Sequence, residues 1–167
     1  QTSWTNITGI LPTSVANITY IGVDPTNALN VYLTLGNYSS GNKVYKSTNG
    51  GTTWSNISGS LPNIPTNCIV YQKNSNGLLY VGMDVGVYYR DANMSDWALY
   101  QTGLPNVPVR ELEIRNSTGK IRAATFARGL WESDVVPSQG CNTPTNLSTS
   151  NISANSATFN WSAVSGA

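Results

Sequence analysis

Histidine is absent from this chain of 167 residues, and cysteine and charged residues are scarce. Without histidine the usual general base is missing, so none of the many serines and threonines makes a credible catalytic triad. Two cysteines without histidine do not build a zinc site. A net charge of +1 gives no field that attracts nucleic acid, and no apolar run approaches a membrane span. The sequence therefore predicts no metal, no cofactor, no nucleic-acid partner and no membrane span.

The two cysteines differ in their surroundings. Cys68 stands in the apolar stretch Cys68-Ile69-Val70-Tyr71, which predicts a small buried hydrophobe. Cys141 stands in a polar segment. We expect Cys141 to be free or to pair outside this chain, with a Cys68–Cys141 bridge as the alternative.

Polarity in this chain comes from Asn, Ser, Thr and Gly, because only 10% of the residues are charged. An average soluble protein has about 25%. These residues favour turns and strand surfaces over helices. No helical pattern of useful length occurs, so the predicted fold class is all-β. Low charge on polar strand surfaces also fits a secreted or cell-surface protein.

Three similar sequence segments, which we call the repeated phrases, each begin with a tryptophan and recur at regular intervals. Trp4, Trp54 and Trp97 each begin a stretch that runs through glycine to Leu-Pro, and they stand 50 and 43 residues apart. A repeat of about 40–50 residues made of short strands is typical of β-propeller blades, each a four-stranded antiparallel sheet. A propeller needs about four to eight blades, so this chain predicts an incomplete disc. The missing blades would come from the rest of the same protein or from another subunit.

The repeats divide the chain as follows. Residues 1–135 form the partial propeller, with blades at about 10–58, 59–101 and 102–135. Residues 1–9 are predicted to be the outer strand of a preceding blade, or a closing strand for the last one. Residues 136–144 read as a linker, and residues 145–167 begin a separate domain.

Residues 47–54 read Ser-Thr-Asn-Gly-Gly-Thr-Thr-Trp. This stretch resembles the Asp-box, or BNR repeat, of sialidase-like, sortilin-like and xyloglucanase-like propellers, whose pattern is Ser-x-Asp-x-Gly-x-x-Trp. Ser47, Gly51 and Trp54 match, whereas Asn49 stands where Asp is usual. The resemblance implies a structural turn between a third and a fourth strand, away from the catalytic face of those families. Trp97 and Trp131 are the structural tryptophans expected in the other two units.

The segment after the linker resembles the opening of a fibronectin type III domain. Pro144-x-x-Leu147 matches the start of its first strand, and Phe159 and Trp161 fall on one face of a strand that would carry the core tryptophan. A propeller followed by such a module is similar to large secreted bacterial proteins, some of which end in a sorting domain.

Five residues are candidates for ligand binding. Tyr38 stands in a loop and suits stacking on a sugar. Asp84 follows a second strand, where it is either a hairpin-turn residue or a ligand contact. Arg110, Arg122 and Arg128 belong to a region, 110–128, that holds five of the nine basic residues. These arginines serve either cross-strand pairing with nearby glutamates or a patch for an acidic glycan or a partner.

The sequence leaves three functions open. The leading one is a non-catalytic binding or display scaffold, with a glycan or protein ligand on the propeller loops. The second is a fragment of a xyloglucanase-like glycoside hydrolase, which would need two carboxylates about 5–9.5 Å apart. The third is a passenger of a secretion or adhesion assembly. Enzymatic activity within this segment is not expected.

Overall fold

The structure, a computed structural model, describes residues 3–137 and 146–162, and these ranges are all-β. Most of the predicted linker, and Cys141, lie outside the described residues. The strands are β1 (Ile18–Asp24), β2 (Asn27–Leu35), β3 (Val44–Ser47), β4 (Ser55–Asn56), β5 (Thr66–Tyr71), β6 (Leu79–Met83), β7 (Val87–Arg90), β8 (Ala98–Leu99), β9 (Val109–Arg115), β10 (Lys120–Thr125), β11 (Gly129–Asp134), β12 (Ser148–Ser150) and β13 (Thr158–Asn160). In the part of the chain that is described, no helix is long and apolar enough to cross a membrane.

The strands form antiparallel sheets in chain order. Strands β1–β4 make one four-stranded sheet, the first blade, and β5–β8 make another, the second blade. The third blade has β9, β10 and β11 among the described residues. The first strands of the three blades pack side by side, β1 against β5 and β5 against β9. The predicted all-β fold of propeller blades is confirmed, with Trp54 and Trp97 entering the last strands of different sheets.

The hydrophobic core lies between neighbouring blades rather than inside one sheet. Between the first and second blades, Val44 and Tyr32 pack with Ile69 and Val81. Between the second and third blades, Val87 and Cys68 pack with Leu112 and others. Cys68 is fully buried as predicted, and this burial raises the pKa of its thiol to about 12. Each junction thus buries one face of each of two sheets, which is the main stabilising contribution.

Two tryptophans bond the segment that precedes their own blade. Trp97 Nε1–H donates to the carbonyl of Ile57 at 2.7 Å, and Trp54 Nε1–H donates to that of Ile7 at 3.0 Å. Ile7 and Ile57 hold the same place in the repeated phrase. The backbone of each of these two repeated phrases therefore accepts a hydrogen bond from the tryptophan that begins the next repeated phrase.

Residues 3–8, the described part of the predicted outer or closing strand, form no strand with the other described residues, so that strand stays a prediction. A fourth strand pairs only with the third strand of its own blade, and no described strand lies beside this segment. The segment is held instead by the indole of Trp54. Trp131 also differs from Trp54 and Trp97, because it lies within β11 and donates to the carbonyl of Arg128 at 2.9 Å in its own hairpin.

The chain divides into two compact units, Gln1–Val136 and Pro137–Ala167. In the second unit the described residues form an antiparallel hairpin in which Thr149 pairs with Phe159. Phe159 and Trp161 are exposed. A fibronectin type III domain beginning here stays a prediction.

One carboxylate is buried at the tip of the β1–β2 hairpin. Asp24 accepts hydrogen bonds from Thr26 N at 2.8 Å, from Thr26 Oγ1 at 2.6 Å and from Asn30 Nδ2 at 3.0 Å. Burial alone would raise its pKa, but these bonds outweigh burial and lower the pKa to about 2. Asp24 is therefore a structural residue of this turn.

Replacing Trp97→Phe should lower the free energy of unfolding by about 1–3 kcal/mol, because it leaves the carbonyl of Ile57 without its indole donor and opens a small void. Urea denaturation at constant slope measures the change. The matched control is Trp161→Phe, which alters an exposed side chain and should change stability by less than about 0.5 kcal/mol. Equal effects of the two variants would contradict the role of Trp97.

Replacing Asp24→Asn should lower the free energy of unfolding at pH 7 by about 2 kcal/mol. The pKa of Asp24 is lower in the folded state, so its contribution is complete above about pH 5 and is lost as the pH falls from about 4 towards 2. The variant and the parent should converge at low pH in urea titrations. The exposed Asp134→Asn serves as the control; a gap that persists at pH 2 would refute the electrostatic explanation.

Candidate functional site

One end of the blades carries most of the candidate binding residues. After each second strand, a backbone N–H closes onto the carbonyl that precedes the first strand of the same blade. The three bonds are Gly36 N to Asn17 O (2.9 Å), Asp84 N to Pro65 O (3.1 Å) and Phe126 N to Pro108 O (2.8 Å). We call this end the loop face. It comprises residues 36–43, 84–86 and 126–128 with the entries to β1, β5 and β9.

The entry to each first strand contains a β-bulge, and its extra residue lies on the loop face. These residues are Thr19, Asn67 and Arg110. Bulges re-aim side chains and are common beside functional sites. Thr19 Oγ1 donates to Thr66 O at 2.6 Å, and Asn67 Nδ2 donates to Val109 O at 3.1 Å. The bulge residues therefore connect neighbouring blades as well as facing solvent.

Four side chains form a polar and aromatic cluster on this face. Asn67 Nδ2 donates to Asp84 Oδ1 at 3.0 Å, and Arg110 NH1 donates to Asn67 Oδ1 at 3.3 Å. Arg110 also lies 3.7 Å from Asp84 and stands over the ring of Phe126, 5.8 Å from its centroid. Phe126 is exposed. The cluster therefore offers an apolar ring beside a cation, an amide and a carboxylate.

This cluster combines groups that recognise sugars. An aromatic ring stacks on the apolar face of a sugar, while the guanidinium, amide and carboxylate bond hydroxyl groups. Asp84 is its single carboxylate. Hydrolysis of a glycosidic bond takes two carboxylates, so the cluster by itself is equipped for binding rather than cleavage.

The other predicted binding residues, Arg122, Arg128 and Tyr38, lie outside this cluster. Arg122 lies on β10 and pairs across the strands with Glu132 at 2.8 Å, which makes cross-strand pairing its role. Arg128 lies in the β10–β11 loop and Tyr38 in the β2–β3 loop, both exposed and both on the loop face. The structure thus brings Asp84 and Arg110 together, whereas ligand contacts by Tyr38 and Arg128 stay predictions.

Sequence reasoning missed Asn67 and Phe126. Phe126 stands 42 residues after Asp84, the same offset that relates the turns beginning at Asn74 and Asn116. That offset places Phe126 on the loop face. The bulge that exposes Asn67 has no equivalent signal, because it depends on the register between β5 and β6.

Several of the remaining acidic side chains bond other groups of the fold. Asp91 bonds the backbone of its own turn, Asp96 accepts from Ser60 N at 3.0 Å, and Glu111 accepts from the Tyr20 hydroxyl at 3.1 Å. Lys120 and Asp134 pair at 2.7 Å. Across residues 3–137 and 146–162, no group of three or more His, Cys, Asp or Glu side chains is arranged to hold a metal.

The turn at residues 47–54 lies between β3 and β4, at the end of the blade opposite the loop face. Ser47 Oγ accepts from Gly51 N at 2.8 Å, while Asn49 Oδ1 accepts from Thr53 N and from Ser47 Oγ, each at 2.9 Å. Gly51 has φ +93°, and a Cβ there would stand 2.6 Å from the side chain of Ile7. Asn49 thus supplies the oxygen acceptor that an aspartate would supply.

The fold is similar to that of solved GH74 proteins. An enzyme from Niastella koreensis aligns with a TM-score of 0.57 at 18% identity, covering 71% of this chain and 21% of that one. An ancestral GH74 enzyme gives 0.52 at 18%, covering 66% and 16%, and a GH74 xyloglucanase from Xanthomonas campestris gives 0.52 at 16%, covering 67% and 20%. This chain therefore spans about a fifth or less of the length of each. No model of a known protein family matches it, and neither does any curated protein.

Replacing Asn49→Asp should change the free energy of unfolding by less than about 0.5 kcal/mol, because the oxygen acceptor is kept. Replacing Asn49→Ala should cost about 1–2 kcal/mol, since Thr53 N–H loses its partner. Thermal or urea unfolding of both variants checks the difference. If both lose the same stability, the acceptor role of Asn49 is wrong.

Proposed function

We propose that this chain is a non-catalytic, glycan-binding part of a secreted or cell-surface propeller protein. The observation that supports this most is the loop-face cluster, where exposed Phe126 lies beside Arg110, Asn67 and Asp84. Stacking on the ring would provide most of the affinity. The polar side chains would fix the orientation of the sugar through its hydroxyl groups.

The cluster is already arranged before a ligand binds. Asn67 bonds both Asp84 and the backbone of Val109, so its amide is held by two neighbours. Arg110 is tethered by Asn67 and Asp84 but keeps free edges of its guanidinium, because its side chain is half-exposed. Such pre-organisation lowers the ordering cost of binding.

A second candidate is part of a glycoside hydrolase similar to the GH74 enzymes. The fold similarity favours it, and Asp84 would supply one carboxylate of the required pair. The second carboxylate would then come from outside the cluster. The role of passenger in a secretion or adhesion assembly depends on the fibronectin-like segment and stays a prediction.

Replacing Phe126→Ala should weaken binding to xyloglucan or another neutral polysaccharide at least about tenfold, because the stacking ring is removed. Affinity electrophoresis over a panel of polysaccharides, followed by calorimetry on those that bind, measures the loss. Phe159→Ala is the matched control, since Phe126 and Phe159 are 62% and 68% exposed. This control should bind as the parent does.

Arg110→Ala should weaken binding while leaving the free energy of unfolding within about 1 kcal/mol, because its ion pair is solvent-exposed. Reducing-end assays on the same polysaccharides test the second candidate. Turnover that Asp84→Asn abolishes would favour the hydrolase. Failure to bind any polysaccharide in the panel would contradict both candidates.

A further inference from the structure

Basic side chains outnumber acidic ones on the loop face. Its charged residues are Lys43, Arg110, Arg128 and Asp84. At the opposite end of the blades, where the other hairpin turns lie, basic and acidic residues are equal in number. They are Lys73, Arg90, Arg115 and Lys120, and Asp24, Asp91, Asp96 and Asp134. The chain has a net charge of +1, so its excess positive charge is concentrated on the loop face.

Two of the three basic side chains are within reach of a ligand. Lys43 is fully buried, and its Nζ donates to the backbone of its own loop. Arg110 is half-exposed and lies 3.7 Å from Asp84. Arg128 is exposed and donates to the carbonyl of the preceding residue at 3.4 Å. No carboxylate of the described residues forms an ion pair with Arg128, so its guanidinium has donors free for an anion.

These two cations accompany one exposed aromatic ring. Arg110 stands over the ring of Phe126, 5.8 Å from its centroid, and Arg128 belongs to the same short loop as Phe126, residues 126–128. Asp84 lies on the Arg110 side, where it accepts from Asn67 at 3.0 Å. An anionic group of a ligand is therefore repelled near Asp84 and attracted near Arg128.

This combination of groups fits a sugar that carries a carboxylate. The apolar face of the sugar ring stacks on Phe126, and its hydroxyl groups donate to Asp84 or bond the amide of Asn67. A carboxylate accepts two parallel hydrogen bonds from a planar guanidinium, which suits Arg128. A neutral sugar would leave that guanidinium without a charged partner.

We propose that the loop face binds an acidic glycan, a polysaccharide that contains uronic acid units. One sugar ring stacks on Phe126, its hydroxyl groups bond Asp84 and Asn67, and a uronate carboxylate pairs with Arg128. Such a ligand is one class within the proposed glycan-binding function, on which this assignment rests. An acidic peptide offers the carboxylates but lacks the sugar ring and the hydroxyl groups that the rest of the cluster fits.

Calorimetry of the full chain with charged and neutral polymers tests the charge of the ligand. We expect polygalacturonate or alginate to bind at least about tenfold more tightly than xyloglucan at low salt. This difference should shrink at about 1 M salt, because an exposed ion pair is screened. Failure of both uronate polymers to bind, or equal affinities at low salt, would overturn the acidic ligand. Binding of xyloglucan or another neutral polymer would then still support the proposed function, and binding of no polysaccharide would overturn both.

Arg128→Gln tests the carboxylate contact. This variant should weaken binding of the uronate polymer at least about tenfold and binding of xyloglucan less than about twofold, and Arg128→Lys should recover part of the loss. Arg122→Gln is the matched control, because Arg122 is also partly exposed but pairs with Glu132 on β11. This control should bind as the parent does. No loss in Arg128→Gln, or the same loss in Arg122→Gln, would overturn the assignment.

Poly-L-glutamate distinguishes a glycan from an acidic peptide, because it carries carboxylates without sugar rings. We expect it to bind at least about tenfold more weakly than the uronate polymer. Phe126→Ala should weaken binding of the uronate polymer and leave that of polyglutamate unaltered, since stacking on the ring requires a sugar. Equally tight binding of polyglutamate would show that charge alone is recognised and would overturn the proposal.

Discussion

The structure depends on the indole-to-carbonyl hydrogen bonds of two tryptophans: Trp97 bonds the second blade to the first, and Trp54 bonds the first blade to residues 3–8. Each bond connects the tryptophan before the last strand of a blade to the backbone of the segment that precedes that blade. Because a hydrogen bond is directional, it fixes the orientation of the two parts as well as their contact. Apolar burial provides most of the stabilising free energy but has little directional preference. The tryptophan combines a large apolar surface with one donor, which suits it to both roles.

The hydrophobic cores lie between neighbouring sheets. This explains why each blade depends on its neighbours and why the entries to the first strands are aligned. A single four-stranded sheet here has little interior of its own, so each blade is stable through its neighbours, as in other repeat architectures. The same constraint aligns the entries to the first strands. The side chains of Asn67, Asp84 and Arg110 come from two different blades, and they meet because the blades are registered by these junctions.

Much of the fold could be predicted from the sequence, because the repeat is visible in the phrases that begin at Trp4, Trp54 and Trp97. The residue types and the lack of a helical pattern predict an all-β fold. The pattern of residues 47–54 predicts the turn there. Whether residues 3–8 form a strand cannot be predicted from their own sequence, because a strand forms only where the edge of a partner strand is present. The sequence points to Asp84 and Arg110, which lie together in the structure, but it does not separate them from Arg122, which pairs with Glu132. Bulges and cross-strand partners decide such cases, and these depend on register rather than on residue type.

The most direct test of the account is hydrogen exchange of the tryptophan indole N–H groups, followed by NMR. Trp54 and Trp97 should exchange much more slowly than Trp161, because their indoles are buried and bonded to Ile7 and Ile57, whereas Trp161 is exposed. Equally fast exchange at Trp54, Trp97 and Trp161 would contradict the central claim that Trp97 joins the first two blades and that Trp54 holds residues 3–8 on the first blade.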